Sequence, residues 1–385
     1  MQKRHFLTAT LLGAALLAGL PAQAQSVDAK AVVQHYATLV HANYSDVLTS
    51  AQTLQKAITA FAAAPSAQGL EDAKKAWLAA REFYGQTEVF RFYSGPIDDD
   101  NGPEGRINAW PLDESFIDSV TSKPKAGLVN NPKVKITKAN LAKLNERGGE
   151  ENIAAGWHAI EFSLWGQDQS DTGPGSRSFE DFVDGKAANA DRRRAYLVTA
   201  TELLIDDLSF LVKAWTPGAK NYRARFEQGG IQSVRKMIVG MGSLSRGELA
   251  GERLEVAMNT QDKEDEHSCF SDNTHRDVVT NAQGIENVWL GSYKRLDGST
   301  LQGASLKDLV AAKNAGLADK VSKQIAQSVA NATAIQAPFD REIVGAKDAP
   351  GRIRVQKTID SLVQQSKDIT EAAAALGITK LAQAK

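Results

Sequence analysis

Apolar side chains recur every three or four residues along much of the chain. The clearest case runs from Val33 to Phe61, and this spacing places the apolar side chains on one face of a helix. At 1.5 Å per residue such a helix is roughly 40 Å long, which is typical of helices in up-and-down bundles. Pro65 and Ser66 predict where it ends.

The same pattern predicts helices in both halves of the chain. No segment alternates apolar and polar residues as a half-buried strand does, so the pattern predicts an all-α fold. The predicted helices, besides the first, cover residues 68–93, 191–215, 222–244, 245–258, 274–290, 306–313, 318–335 and 353–376.

Residues 95–147 differ from the rest because prolines and glycines interrupt any long helix. Short helices are predicted near residues 114–119 and 138–146. An excursion of this length inside a compact domain is often functional.

Thr216-Pro217-Gly218 predicts a boundary between two parts of the chain. The expected domains are residues 25–216 and 217–385, each a four-helix-bundle-like half. The segment from His158 to Glu161 resembles the segment from Gln283 to Glu286, which raises the hypothesis of an internal duplication. In that case the second half has glutamine where the first has histidine.

Residues 1–24 have the pattern of a cleavable signal peptide. Lys3 and Arg4 precede a short apolar run, and small residues end at Ala24. The sequence therefore predicts export to the periplasm or cell envelope, with no membrane span in the mature chain. Cys269 is the sole cysteine, so no internal disulfide is expected.

Charge and motifs exclude several classes of function. The chain has 45 basic and 46 acidic residues, and the basic residues form no stripe of the kind that binds nucleic acid. The sequence contains no His-Glu-x-x-His zinc-protease motif, no Gly-x-Ser-x-Gly motif and no phosphate-binding loop.

The segment from Gly156 to Glu161 is the strongest candidate site. His158 and Glu161 are three residues apart, so in a helix they share a face and supply two metal ligands. The surrounding residues are apolar, and a buried charge requires a partner. The alternative is a core histidine that is hydrogen-bonded to Glu161 in its own helix.

Further ligands must come from other elements. Glu88 and Asp113 precede the motif, and a carboxylate-rich set with one histidine suits iron, manganese or zinc, with iron favoured by the oxygen ligands. The alternatives are a salt bridge from Glu88 to Arg91 or Arg81, and a role for Asp113 as the N-cap of a short helix.

Residues 264–277 form a second dense polar cluster. It contains His267, Cys269, His275 and several acids. Some of its polar residues are natural caps for the helix that begins near Thr274. Capping does not explain the histidines, so His267 and His275 are further candidates to line a cleft or bind a ligand.

With these motifs in view, the chain resembles the imelysin family, and most closely its iron-regulated-protein branch. The resemblance rests on Gly156-x-His158-x-x-Glu161 and on the segments 105–113 and 264–277. It implies an exported, all-helical protein with two bundle-like halves. In a related branch of periplasmic iron-uptake proteins the His-x-x-Glu motif joins an earlier Glu and Asp in a proposed metal site. By that pattern Glu88 and Asp113 match.

Three functions follow from the resemblance and the candidate site. The favoured one is a periplasmic metal-binding protein linked to iron acquisition, with zinc as the other candidate metal and envelope iron-uptake components as partners. The second is a metal-dependent peptidase, with Glu161 at the metal and Glu88 as the base. The third is a module that binds a peptide or small ligand without a metal.

Overall fold

The computed structural model describes residues 28–381, so the predicted signal peptide at residues 1–24 lies outside the described residues. The described part is mainly helical, and the prediction of an all-α fold is confirmed. Its α-helices, in chain order, are α1 (Ala29–Ala63), α2 (Ala67–Tyr84), α3 (Glu104–Ile107), α4 (Glu114–Ile117), α5 (Lys138–Leu144), α6 (Trp157–Trp165), α7 (Ala190–Trp215), α8 (Tyr222–Glu227), α9 (Ile231–Ser243), α10 (Val256–Thr260), α11 (Thr274–Leu290), α12 (Leu306–Ala311), α13 (Ala315–Ala334), α14 (Asp340–Ile343) and α15 (Pro350–Ala375).

Helix α1 forms where the apolar periodicity predicts it. Asp28 caps its first turn by accepting a hydrogen bond from the backbone amide of Ala31, which satisfies one of the free amides at the helix start. The apolar face that includes Val33 and Val40 is fully buried. This face packs mainly against α2 and α7, and these helices form the first bundle.

The second half packs α15 against α9 and α13, and α11 against α13. The buried apolar side chains of both halves belong to one continuous cluster. Tyr36 of α1, for example, stacks on Phe226 of α8 with ring centroids 5.3 Å apart. The described part of the chain contains no helix that is both long and apolar enough to cross a membrane. The two-domain division and the duplication stay predictions.

Three segments differ from the sequence predictions. The second helix ends at Tyr84, and a 3₁₀ helix, Gly85–Phe90, follows it. The segment after α9, Leu244–Glu255, winds as a π-helix that continues into α10. A short antiparallel hairpin joins Ser292–Lys294 to Thr300–Gln302. Strands of three residues carry too little periodicity to be read from sequence. Two other 3₁₀ helices are Phe179–Phe182 and Lys263–Asp265.

Candidate functional site

Helix α6 is positioned by a glycine. Gly156 has φ +96°, and a Cβ at this position would lie 2.5 Å from the carbonyl oxygen of Ile107. Only glycine fits both the backbone conformation and the close approach. The start of α6 therefore packs against the chain at residues 106–107, and all nine residues of α6 are buried.

His158 and Glu161 contact each other within this helix, as their spacing predicts. The Nδ1 atom of His158 lies 2.8 Å from Glu161 Oε2. The other carboxyl oxygen, Oε1, accepts hydrogen bonds from the backbone amide of Ser271 at 3.0 Å and from its hydroxyl at 2.7 Å. Both oxygens of Glu161 are therefore occupied, and this carboxyl group orients the imidazole.

The second nitrogen of His158 faces His267. Their Nε2 atoms lie 3.1 Å apart, and both side chains are 1 % exposed. His267 is held in turn through its Nδ1 atom, which lies 2.9 Å from Asp277 Oδ2. Ser268 donates a hydrogen bond to the same carboxylate oxygen at 2.5 Å. The site therefore consists of two carboxyl–histidine pairs whose free ring nitrogens meet.

Burial controls the protonation of the first pair. Burial lowers the pKa of His158 well below its ordinary value, and the charge of Arg81 lowers it further. Burial raises the pKa of Glu161 to about 8, although the hydrogen bond from Ser271 opposes this shift. With Glu161 protonated, one chain of hydrogen bonds runs from its hydroxyl through both imidazoles to Asp277. With Glu161 ionised and each Nδ1 donating to its carboxylate, two Nε2 lone pairs face each other.

The spacing of the two Nε2 atoms fits adjacent ligands of one metal ion. Two nitrogens that are each about 2.1 Å from an ion lie 3.1 Å apart when the angle at the ion is about 95°. Carboxylates that hold the other ring nitrogen are the usual second layer of such a site. Within residues 28–381 no three histidine, cysteine, aspartate or glutamate side chains are grouped closely enough to hold an ion. The pair therefore supplies two ligands, and the rest must be water or a neighbour that moves.

Asn108 contacts the pair directly, and Glu88 contacts Asn108. The amide nitrogen of Asn108 lies 3.4 Å from both Glu88 Oε1 and His267 Nε2. Glu88 is 1 % exposed and pairs with Arg91 at 2.8 Å and with Arg253 at 3.2 Å. Of the two partners considered from sequence, Arg91 and Arg81, the structure pairs Glu88 with Arg91. Glu88 is thus linked to His267 through Asn108 and is held by two guanidinium groups.

Arg81 links this cluster to helix α2. Its guanidinium donates to Asn108 Oδ1 at 2.7 Å and to Asp277 Oδ1 at 2.9 Å. The same group lies 5.2 Å from the ring centroid of Tyr84 and 5.9 Å from that of Trp157. Arg81 is 1 % exposed, so its charge is balanced chiefly by Asp277 and contributes to holding Asp277 and Asn108 in place.

Trp110 packs against both imidazoles. Its ring centroid lies 5.0 Å from that of His158 and 6.4 Å from that of His267. The residues of the predicted long excursion therefore reach the site through Asn108 and Trp110.

Two of the candidate residues do not join this cluster. Asp113 is the N-cap of α4, and its side chain accepts a hydrogen bond from the backbone amide of Ser115 at 2.9 Å. This is the capping role given as the alternative in the sequence analysis. His275 contacts the carbonyl oxygen of Asp272 through Nδ1 at 3.1 Å. Neither has a hydrogen bond to the paired histidines, because each lies at a helix start and satisfies local backbone groups.

Sequence reasoning brought His158, Glu161, Glu88 and His267 forward but missed Arg81, Asn108 and Asp277 as members of the site. Asp277 lies inside the polar cluster 264–277, and this position could have indicated it as a site residue. Arg81 lies among aromatic residues on a predicted helix, which is a weaker indication of a role in the site.

The imelysin family model matches residues 40–369. Iron-regulated protein A of Synechococcus elongatus is 25 % identical over 349 residues, which cover 90 % of this chain and 87 % of that protein. A crystal structure of a protein assigned as an iron-regulated protein A precursor from Parabacteroides distasonis superposes with a TM-score of 0.71 at 19 % identity. The superposition covers 90 % of this chain and 94 % of the other, and this similarity shows the shared fold.

Proposed function

The chain belongs to the imelysin family, and from this membership and the site geometry we propose that it binds one transition-metal ion at His158 and His267. Iron is the favoured metal. Glu161 and Asp277 orient the two imidazoles, and water completes the ligand set, together with Asn108 or Glu88 where these leave their present arginine partners.

One observation carries the proposal, namely the meeting of two buried Nε2 atoms at 3.1 Å with a carboxyl group behind each ring. When Glu161 is ionised, both imidazoles donate through Nδ1 and have no hydrogen bond to make with each other. A cation between their lone pairs removes that repulsion and uses the orientation that the carboxylates provide. Metal binding would therefore compete with the protonated state of Glu161, in which a hydrogen bond joins the two Nε2 atoms.

The choice of iron rests on chemistry and on the relatives. Imidazole suits iron, zinc and copper alike, whereas nearby oxygen groups favour iron over copper. The relatives from Synechococcus elongatus and Parabacteroides distasonis both carry the name iron-regulated protein A. Zinc is the metal to compare with iron in any test.

The leader-like residues 1–24 extend the proposal to location. A signal peptide of this kind would deliver the protein to the periplasm or cell envelope, where metal capture would serve envelope iron-uptake components.

A peptidase function has weaker support from the same geometry. Metal-dependent hydrolysis needs a carboxylate that is free to accept a proton from water. Glu161 already contacts His158 and Ser271, and Glu88 is paired with two guanidinium groups. Neither is available as a base in this arrangement.

The test is a metal titration of protein purified without a polyhistidine tag. The metal-free protein is titrated with Fe²⁺ under anaerobic conditions and, separately, with Zn²⁺. Wild type should bind one equivalent, and the variants His158→Ala and His267→Ala should each lose that binding. The control is His275→Ala, which removes an imidazole outside the pair and should leave binding unchanged.

Equal binding by wild type and both site variants would overturn the proposal. Equal loss in the His275→Ala control would also overturn it, because the paired histidines would then have no special role.

A further inference from the structure

An open cleft of about 400 Å³ leads towards the paired histidines, which do not themselves line it. Asn108 and Trp110 line its inner end, and these are the two residues that contact the imidazoles from the outside of the site. The histidines themselves are 1 % exposed. A ligand that enters through this cleft therefore reaches the pair after Asn108 and Trp110 move aside.

The inner wall of the cleft is an ion-pair cluster in which acids outnumber bases. Arg91 contacts Glu88 at 2.8 Å and Glu104 at 3.0 Å. Arg253 contacts Glu88 at 3.2 Å and Glu248 at 2.7 Å. Two guanidinium groups thus meet three carboxylates, and both positive charges in the lining are already used.

The remaining acids of the lining add further negative charge. In the described part of the chain they form no ion pair within 4 Å. These acids are Glu146, Glu150, Glu252 and Asp265.

A low-dielectric cleft whose lining carries a net charge concentrates ions of the opposite sign and speeds their arrival. Six water molecules at about 30 Å³ each occupy about 180 Å³, so a cation with its first hydration layer fits a cleft of about 400 Å³. The same negative lining repels an anionic chelate of the metal. The volume of the cleft is large enough for many ligands, so the charge of a ligand, and not its size, determines how readily it enters.

We propose that this cleft admits the metal as a hydrated cation and disfavours metal that arrives in a negatively charged chelate. This inference rests on the proposed metal site at His158 and His267 and adds the form in which the metal is taken up. The carboxylates of the lining raise the rate at which the metal binds, whereas the histidines determine the rate at which it dissociates.

The test measures the rate of binding by stopped-flow tryptophan fluorescence, because Trp110 lies against His158. The probes are Zn²⁺ as the aqua ion and Zn²⁺ as its nitrilotriacetate complex, which carries a net negative charge. The mouth variant is Glu146→Gln/Glu252→Gln, which changes two exposed positions and removes two charges. The matched control is Asp319→Asn/Asp348→Asn, which removes two exposed charges that do not line the cleft.

The mouth variant should bind aqua Zn²⁺ about 3- to 10-fold more slowly than wild type at low salt, with a weaker dependence on ionic strength. Its dissociation rate should stay unchanged, and its uptake from the nitrilotriacetate complex should become faster. The control should match wild type. Charge reversal by Glu252→Lys should slow capture of the aqua ion by a comparable factor.

Metal binding by wild type with equal capture rates in the mouth and control variants would overturn this inference and leave the metal site standing. Faster uptake of the chelate than of the aqua ion by wild type would do the same. Failure of wild type to bind Fe²⁺ or Zn²⁺ at all would overturn both proposals.

Discussion

The Nε2 atoms of His158 and His267 lie 3.1 Å apart although the two residues are 109 positions apart in sequence. This contact joins helix α6 of the first half to the loop before α11 of the second. Each ring is fixed from behind by a carboxyl group of its own half, Glu161 or Asp277. The site therefore requires both halves and depends on how they pack.

Asp277→Asn should weaken metal binding while the fold persists. The asparagine keeps the shape of the side chain but removes the carboxylate that orients His267, and loss of such a partner typically costs about 10- to 100-fold in affinity. Equilibrium titration with Zn²⁺ measures the change, and circular dichroism checks the fold. Asp308→Asn, at the capping box of α12, is the control. An unchanged affinity in Asp277→Asn would show that the carboxylate does not support the site.

Arg81→Met should destabilise the protein strongly. The buried Asp277 would lose its cationic partner, and breaking a buried pair costs about 3–5 kcal/mol. Urea unfolding measures this loss. The exposed pair of Lys138 and Asp206 supplies the control, because Lys138→Met should cost less than about 1 kcal/mol.

The double variant Arg81→Met/Asp277→Asn tests the cause of that loss. If the cost comes from an uncompensated carboxylate, the double variant should be more stable than the sum of the two single changes implies. Strict additivity would mean that Arg81 acts through packing against its aromatic neighbours instead.

Two glycines in α9 should respond in opposite directions to alanine. A Cβ at Gly240 would overlap the carbonyl oxygen of Val89, whereas a Cβ at Gly242 meets nothing within 4 Å. Gly240→Ala should therefore destabilise by about 1–3 kcal/mol through overpacking. Gly242→Ala should stabilise by about 0.5–1 kcal/mol because alanine favours the helix. The urea midpoint of each variant relative to wild type measures its effect, and a shared sign would contradict the close approach of α9 to the 3₁₀ helix Gly85–Phe90.

Asp118 should make stability depend on pH in acid. Burial alone would raise the pKa of its carboxyl, but the hydrogen-bonded pair with Arg193 and the charge of Arg177 hold the pKa below its ordinary value. The folded-state pKa is thus lower than the unfolded-state pKa of about 3.9. The stabilisation is fully present above pH 3.9 and is lost as the pH falls through the lower, folded value.

Wild type should consequently exceed Asp118→Asn in the free energy of unfolding at pH 6, and the gap should narrow below about pH 4. Urea unfolding at a series of pH values measures the gap. The variant Asp206→Asn, which changes an exposed side chain, should show a small gap throughout. A gap for Asp118→Asn that stays constant down to pH 2 would contradict the ion-pair account.

The helices could be predicted from the sequence because the residues that specify each helix lie within or next to it in the chain. The spacing that buries Val33 and Val40, and the break at Pro65, each lie within one element. The prediction of residues 274–290 as a helix matches α11 at both ends. The second predicted helix is too long because the chain from Gly85 onwards winds as a 3₁₀ helix that packs against α11, where Asn281 donates a hydrogen bond to the carbonyl oxygen of Gly85 across 196 residues of sequence.

The site could be read only in part for the same reason. His158 and Glu161 are one helical turn apart, so their contact is a local property. The contact of His158 with His267 and that of Arg81 with Asp277 span 109 and 196 residues. Periodicity carries no information on such pairings. Residue type alone made Asp113 and Glu88 equally good candidates for metal ligands.

The π-helical winding of Leu244–Glu255 determines which residues face the cleft. Glu248 and Arg253 form an ion pair at 2.7 Å although they are five residues apart. In an α-helix such residues point about 140° away from each other, whereas π winding brings them onto one face. If Leu244–Glu255 wound as an α-helix with the same residues, Arg253 would point about 140° away from Glu248 and this ion pair would be lost. The wider pitch of this one segment therefore decides that Glu248 and Arg253, rather than a pair four residues apart, stand together in the wall of the cleft.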